Sequence, residues 1–319
     1  MADVLLVNDI HLSDRPPSSC TDSYLDDLFG LLDETATLAL DRRIAAVVWA
    51  GDVFHHKTPG RTSHGTVMRA IETAESYPCP LYIVPGNHDL THDRLSSLDE
   101  TQPLGVLLRS GHAHLLAGWD ALDINLPLYG VPWLQHWNDD TVSDALRAYR
   151  RHGDAHSLVV THAPLYPPGH ELKYEFYPAG EFAAAMGHTG SVHYGHVHEP
   201  HGIYHAEGVT FSNPGALSRG SLHEHNLTRD VQIAIWNTGT AQFTHHPLPA
   251  KPAAEVFRLQ EITEVRTAQH VLDEFLTSVG QTRIEITSIE AITHHIRGLD
   301  LDADLTDVLL AVLDKAGRA

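Results

Sequence analysis

Five short apolar runs in this chain each give way to a loop that carries aspartate, histidine or asparagine. Asp9 and His11 follow the first run, residues 4–7, and Asp52 follows the second, residues 45–49. Asn87, His88 and Asp89 follow the third, residues 81–84, which Pro85-Gly86 stops. His162 ends the run 158–161, and His196 and His198 follow 191–194. Short apolar runs bounded by turn residues read as buried strands. Between the first three lie amphipathic segments of helix length, residues 23–40 and 64–75, the former with Leu25, Leu28, Leu31 and Leu32 near helical spacing. Strand–helix–strand order requires parallel pairing with helices on the sheet faces. In open α/β sheets ligands collect at the carboxyl ends of strands. All five clusters are therefore expected on one rim.

After residue 110 the texture changes. Strand-like pieces recur at 128–131, 158–161, 191–194, 209–212, 231–236 and 241–245, joined by connections rich in glycine, proline and asparagine. The expectation is an α/β protein in which two facing β-sheets form a sandwich flanked by helices. Residues 247–254, PLPAKPAA, read as a linker. This divides the chain into a catalytic domain, 1–248, and a small C-terminal segment, 249–319. The latter would hold a strand at 256–259, a helix at 267–278, a strand at 283–287 and a helix at 305–315, either as an α/β cap or as an extension packed on the core. No internal repeat is visible.

Composition sets outer bounds. A chain of 319 residues, 42% hydrophobic and 19% charged, suits a soluble domain with a sizeable core and a small appendage. No apolar run approaches the ~20 residues of a membrane span, and no secretory leader is visible. With only Cys20 and Cys79, a disulfide framework is not expected and a reducing cytoplasm is the default location. A formal net charge of -20 argues against nucleic-acid binding by bulk charge. Bound cations would invert that logic locally, in a carboxylate-rich site. The 26 histidines exceed the needs of one site; His170, His223, His225, His245 and His246 read as surface or packing residues.

Taken singly, most of the clusters have an ordinary explanation. Asp9-x-His11 can cap a turn, Gly51-Asp52 can end a strand, and His196 and His198 alternate as any extended pair does. Gly86-Asn87-His88-Asp89 is harder to dismiss, because turns rarely need a histidine in that frame. Together, and all at strand ends, they form a donor set of carboxylate, imidazole and amide carbonyl that suits manganese, iron or zinc. Seven donors suffice for two ions if one carboxylate bridges. Asp52, the lone carboxylate of its loop, is the candidate bridge. Two ions about 3.5–4 Å apart would clamp a phosphate, activate water near neutral pH and stabilise the leaving oxygen.

Asp9-x-His11, Gly51-Asp52, Gly86-Asn87-His88-Asp89, His162 and Gly195-His196-x-His198 resemble, in this order, the motifs of the calcineurin-like metallophosphoesterases, over residues 4 to about 215. The resemblance implies their four-layer fold. It implies one metal held by Asp9, His11, Asp52 and His198, and a second held by Asp52, Asn87, His162 and His196. His88 would then approach the scissile phosphate, to stabilise it or to protonate the leaving group, with Asp89 orienting His88. Gly51-Asp52-Val53-Phe54-His55, followed closely by Pro59 and a helix, is similar to the SbcD-type DNA nucleases, also called the meiotic recombination eleven family. The interval from Asp9 to Asp52 is longer than small phosphodiesterases usually have. Pro103 to Leu108 and the turn Asn213-Pro214-Gly215 fit the same branch.

That likeness implies a manganese-dependent DNA exo- or endonuclease in end processing or recombination. His55 would be a further active-site histidine, Arg61 and Arg219 would be phosphate-positioning residues, and the protein would be a homodimer through residues 21–40 and 64–74. It also brings in an SbcC-type ATPase as partner. The chain departs from the pattern in lacking the longer C-terminal region that docks on the ATPase, and in showing no basic groove; its size is that of phage recombination nucleases. The alternative is a small-molecule nucleotide phosphodiesterase or phosphomonoesterase using the same site. A protein Ser/Thr phosphatase would need Asp-Arg-Gly in the second motif, and a non-catalytic scaffold would be expected to have lost ligands.

Overall fold

The computed structural model describes residues 2–58, 60–99, 102–119, 126–169 and 176–259 and, beyond these, only the isolated residues 293, 296, 297, 306, 309 and 310. The chain divides into two compact units, Met1–Leu259 and Gln260–Ala319. The expected helix at 267–278 and strand at 283–287 lie outside the described residues, as does the helix at 305–315 apart from isolated positions.

In the first unit the apolar runs are strands buried on both faces. β1 (Asp3–Val7), β2 (Ala46–Trp49), β3 (Leu81–Ile83) and β4 (His114–Leu115) run parallel. Two antiparallel strands, β12 (Gln232–Asn237) and β13 (Gln242–Pro247), extend the sheet beyond β1, giving the order β13-β12-β1-β2-β3-β4. The second sheet has the order β10-β11-β9-β6-β5. There β5 (Leu128–Val131), β6 (Leu158–His162), β9 (Ser191–Gly195) and β11 (Val209–Asn213) are parallel, and β10 (Gly202–Ala206) is an antiparallel edge. Two very short strands, β7 (Leu165–Tyr166) and β8 (Tyr177–Pro178), pair separately.

The period-two alternation of strand side chains separates the layers. Val4 and Leu6 of β1 and Ala46 and Val48 of β2 join Leu158 and Val160 of β6 and Trp236 of β12 in one apolar cluster between the sheets. Leu5, Val7, Val47 and Trp49 point the other way, into a second cluster with α1 (Tyr24–Asp41), α2 (His64–Ser76) and α3 (Pro103–Arg109). Val159, Val192 and Phe211 form a third with α4 (Asp139–Ala145), α5 (Arg147–His152) and α6 (Ala179–Met186). The result is the expected sandwich of two facing sheets with helices outside each.

Local signals place the helices. In α1 the buried positions Leu28, Leu31, Leu32, Thr35, Ala36 and Ala39 recur at helical spacing, and Asp26 and Asp27 sit at the favourable positive end of the helix dipole. Ser63 caps α2 by accepting from Thr66 N at 3.2 Å, and Asn138 and Thr141 form a capping box on α4. The apolar faces of α1 and α2, expected as a dimer seam or as core, are spent on the core. Met68 on α2 and Val106 on α3 remain exposed, at 53% and 54%.

Two expectations near residue 250 need correction. Ala253–Val256 is a short helix, where the strand 256–259 was expected to begin; Phe257 alone makes an isolated bridge, to Cys20. The segment 247–254 is also no free linker. Leu248, Val256 and Phe257 are buried in the cluster that holds α1, and Thr21 N donates to Val256 O at 2.9 Å. The first compact unit runs to Leu259. Apolar side chains at 248, 256 and 257 outweigh the proline-rich composition around them.

Candidate metal centre

The parallel strands deliver their loops to one rim. Asp9 and His11 lie beyond β1, Asp52 beyond β2 and Asn87 and His88 beyond β3; these come from the first sheet. His162 ends β6, and His196 and His198 follow β9, in the second sheet. The seven sequence-predicted ligands meet there. His11 Nε2 lies 3.0 Å from His198 Nε2 and 3.5 Å from Asp52 Oδ2. His198 Nε2 is 3.7 Å from Asp9 Oδ1. His162 Nε2 is 3.4 Å from Asp52 Oδ2 and 3.2 Å from Asn87 Oδ1, which is also 3.1 Å from His196 Nδ1. Asp52 thus stands between a group with Asp9, His11 and His198 and a group with Asn87, His162 and His196.

Backbone conformation marks the same residues. Asp9, His11, Asp52 and His196 all have positive φ, between 48° and 82°. Such conformations cost of order 1–3 kcal/mol each away from glycine, and they cluster at functional sites. Close approach is required as well. A Cβ on Gly86 would overlap the carboxylate of Asp52, and one on Gly51, itself at φ 91°, would overlap the ring of His162.

Electrostatics supports a cation here. Asp9 and Asp52 are buried side by side, and isolated buried carboxylates are costly unless paired or metal-bound. Burial raises Asp9 to about 7, with His162 opposing and Asp52 adding to the rise. Burial also works on Asp52, but His162, His11 and His88 outweigh it and hold the carboxyl well below its usual range. Burial keeps His11 well below the usual imidazole value, His196 at about 3 and His198 at about 4. Neutral His11, His196 and His198 around an ionised Asp52 form a donor set for divalent cations. Among the described residues, two of the three side-chain groups able to hold an ion are Asp9, His11 and His198, and Asp9, Asp52 and His162.

His162 is the exception among the imidazoles. Its Nδ1–H donates to Ala50 O at 2.9 Å, which turns Nε2 to the site. Burial opposes charge on this ring, but Asp52 and Asp9 prevail and lift its pKa to about 9. The shift is upward, so its contribution to folding is complete below about 6.5 and is lost as pH rises through about 9. An ion at Nε2 must displace that proton. Manganese affinity is expected to rise about tenfold per pH unit between 7 and 9, with proton release. Titration calorimetry in buffers of different ionisation enthalpy measures both; flat affinity and no released proton would contradict it.

His55 and His88 complete the rim. His88 N donates to Asp52 Oδ1 at 2.8 Å, and its ring Nδ1 donates to the carbonyl of His55 at 2.7 Å. The two rings stack at 5.3 Å and 24°, and His55 Nδ1 lies 3.4 Å from His11 Nδ1. His11, His55 and His88 form the third group able to hold an ion.

Two implied roles are corrected. Asp89 does not hold the ring of His88, which is taken by the His55 carbonyl. Its buried carboxylate accepts instead from Val53 N, Phe54 N and Gly86 N, and so ties the loop after β2 to the turn after β3. Arg219 is 8% exposed, with its guanidinium donating to Lys251 O, so it is not a surface arginine poised for a phosphate backbone. Arg61 is exposed. One residue at the rim escaped the sequence reading: Trp133, just past β5, whose ring lies 4.7 Å from His196 and 6.1 Å from His162. The available signal was its place after yet another apolar run, in Val131-Pro132-Trp133.

A family model described as calcineurin-like phosphoesterase matches residues 2–200. Among solved structures, the chain is similar to a protein of Thermus thermophilus, at 13% identity and TM-score 0.47, over 77% of this chain and 98% of that one. It is also similar to an archaeal phosphodiesterase, at 15% identity and TM-score 0.39, over 77% and 99% of the two chains. A third likeness is to a dimetal phosphatase from Danio rerio, at 12% identity and TM-score 0.45, over 79% and 97%.

Proposed function

Since the chain belongs to the calcineurin-like phosphoesterases, and is thus a metal-dependent phosphoesterase, we propose that it hydrolyses phosphodiesters as a manganese-dependent DNA exo- or endonuclease of the SbcD type. The observation that carries this reading is the place of His55. The Gly-Asp-x-Phe-His signature puts its half-buried ring against His11 and its carbonyl against His88, at the rim. Asp9, His11, Asp52 and His198 would hold one ion, and Asp52, Asn87, His162 and His196 the other. When bound, the ions supply charge for the phosphate and acidify water. The chain's own part is to fix the donors on two rigid sheets, to shield one side with Trp133, and to present His88 Nε2, the ring nitrogen left over once Nδ1 is engaged.

On this reading the protein acts in DNA end processing or recombination in the cytoplasm, as a homodimer, with an SbcC-type ATPase as assembly partner. Exposed Met68 and Val106 on neighbouring helices support self-association. No described helix is long and apolar enough to cross a membrane.

One observation favours a second reading, a small-molecule nucleotide phosphodiesterase. The cavity of about 670 Å³ beside His198 is lined by Glu199, His223, Glu224 and His225, with no lysine or arginine. Such a wall repels a polyanion and suits an uncharged leaving group.

Labelled linear double-stranded DNA and bis-p-nitrophenyl phosphate, each with added manganese, separate the two. Degradation of the DNA that Asn87→Ala and His88→Ala abolish is the expected outcome. Hydrolysis of the small ester with intact DNA would move the function to nucleotide esters, and inactivity on both would overturn the phosphoesterase reading of the site.

A further inference from the structure

The layer between the two sheets, largely apolar, also holds a connected line of polar side chains that includes His193 and Asn8. On β9, Val192 and Tyr194 face the outer helices, so His193 faces the opposite sheet. Its ring is fully buried and lies 6.2 Å from Phe243. His193 Nε2 is 2.6 Å from Asn8 Oδ1, and its Nδ1 is 3.3 Å from Ser212 Oγ, which in turn is 3.0 Å from His245 Nε2. Asn8 Nδ2 donates to Tyr194 O at 2.9 Å.

With the ring neutral, as its burial favours, one ordering of donors satisfies these contacts. Asn8 Nδ2 is a donor here, so Oδ1 is the acceptor and His193 carries its proton on Nε2. A buried neutral ring then accepts at Nδ1, so the Ser212 hydroxyl donates to it and accepts from His245 Nε2–H. The chain of bonds runs one way, from His245 on β13 to Ser212 on β11, then to His193 on β9, to Asn8 beyond β1, and back to the β9 backbone. It crosses between the sheets three times. Aligned hydrogen bonds of this kind polarise one another in a low-dielectric interior, and each unmade one would leave a buried polar group at a cost.

Its position gives it a task. Asn8 is the residue before Asp9, and Tyr194 stands two before His196. Asp9 itself accepts from His196 N at 3.0 Å. The candidate ligands come from both sheets, so the separation of the two ions depends on how the sheets are registered. Apolar contacts between sheets are non-directional, whereas hydrogen bonds are not. We propose that His193, paired with Asn8, is a positioning residue that registers the two sheets for the dinuclear centre. Its hydrogen-bond partners, Asn8 and Ser212, are not among the candidate ligands. The inference rests on the two-metal reading above.

The test is manganese binding to the whole chain, by titration calorimetry, with electron paramagnetic resonance to detect two exchange-coupled ions. His193→Phe keeps the bulk and removes both hydrogen bonds. It is expected to weaken binding about tenfold or more and to lose the coupled signal, with kcat on bis-p-nitrophenyl phosphate falling and KM little changed. His193→Gln, whose amide can donate to Asn8 and accept from Ser212, is expected to stay within about threefold of the unaltered protein. If His193→Phe does not fold, His193→Asn takes its place with the same expectation, because its shorter amide cannot reach Asn8. Proton-detected nitrogen spectra of the unaltered protein should show His193 as the Nε2–H tautomer; an Nδ1–H ring would overturn the proposal. So would a His193→Phe variant that binds two coupled ions at unaltered affinity. If the unaltered protein itself binds fewer than two ions, it is the two-metal reading that fails.

Discussion

Asp52→Asn is expected to lower kcat on bis-p-nitrophenyl phosphate by on the order of 10³-fold and to reduce bound manganese from two ions to one or none. The substitution is nearly isosteric, so little packing is lost around a side chain that is only 2% exposed. The amide oxygen can still accept from His88 N, as Asp52 Oδ1 does at 2.8 Å. What disappears is the negative charge between His11 and His162, at 3.5 and 3.4 Å. A bridging carboxylate serves both ions at once, and metal-ion catalysis contributes several kcal/mol of transition-state stabilisation. About 4 kcal/mol corresponds to roughly 10³ in rate. Elemental analysis of dialysed protein, with kinetics at saturating manganese, decides the matter. Two retained ions with activity within tenfold would show that another group bridges.

The site was more legible in the sequence than its supports. Metal-type donors had to stand at strand ends, and buried parallel strands are short apolar runs, so both signals lie within a few residues. The edge strand β10 left no such signal, because Gly202–Ala206 is half exposed, with Ile203 outward, and carries no continuous apolar run. The short helices α4 to α6 lack the length over which helical periodicity becomes visible. The role of Asp89 depends on three backbone N–H groups brought in by folding, from residues 53, 54 and 86. Arg219 reads as a phosphate-positioning arginine because its partner, the carbonyl of Lys251, lies 32 residues away in sequence. His193 belongs to no motif, and His245 reads as a packing residue. Their polar function exists only once two sheets face each other.

His88→Ala is expected to leave both ions bound and to lower kcat on DNA by about 10² to 10³-fold, the usual worth of a positioned proton donor. The ring is held in place at several points. Its backbone N–H is fixed on Asp52, its Nδ1–H on the carbonyl of His55, and its faces against His55 and the edge of His11, 4.9 Å away. Nε2 is the atom that remains for a substrate oxygen. Two roles fit that position, protonation of the leaving oxygen and stabilisation of the phosphate, and the leaving group tells them apart. A deoxyribose alkoxide needs a proton, whereas p-nitrophenolate departs readily without one. If His88 protonates, the loss on bis-p-nitrophenyl phosphate should be under about tenfold while the loss on DNA remains about 10² or more. Equal losses on both would assign the ring to the phosphate. His55→Ala provides the internal comparison, since it keeps the carbonyl that holds His88 and removes only the stacked ring. Its loss on DNA should be smaller than that of His88→Ala. A larger one would mean that the His55 ring, rather than its carbonyl, positions the site, and that the proton is delivered from elsewhere.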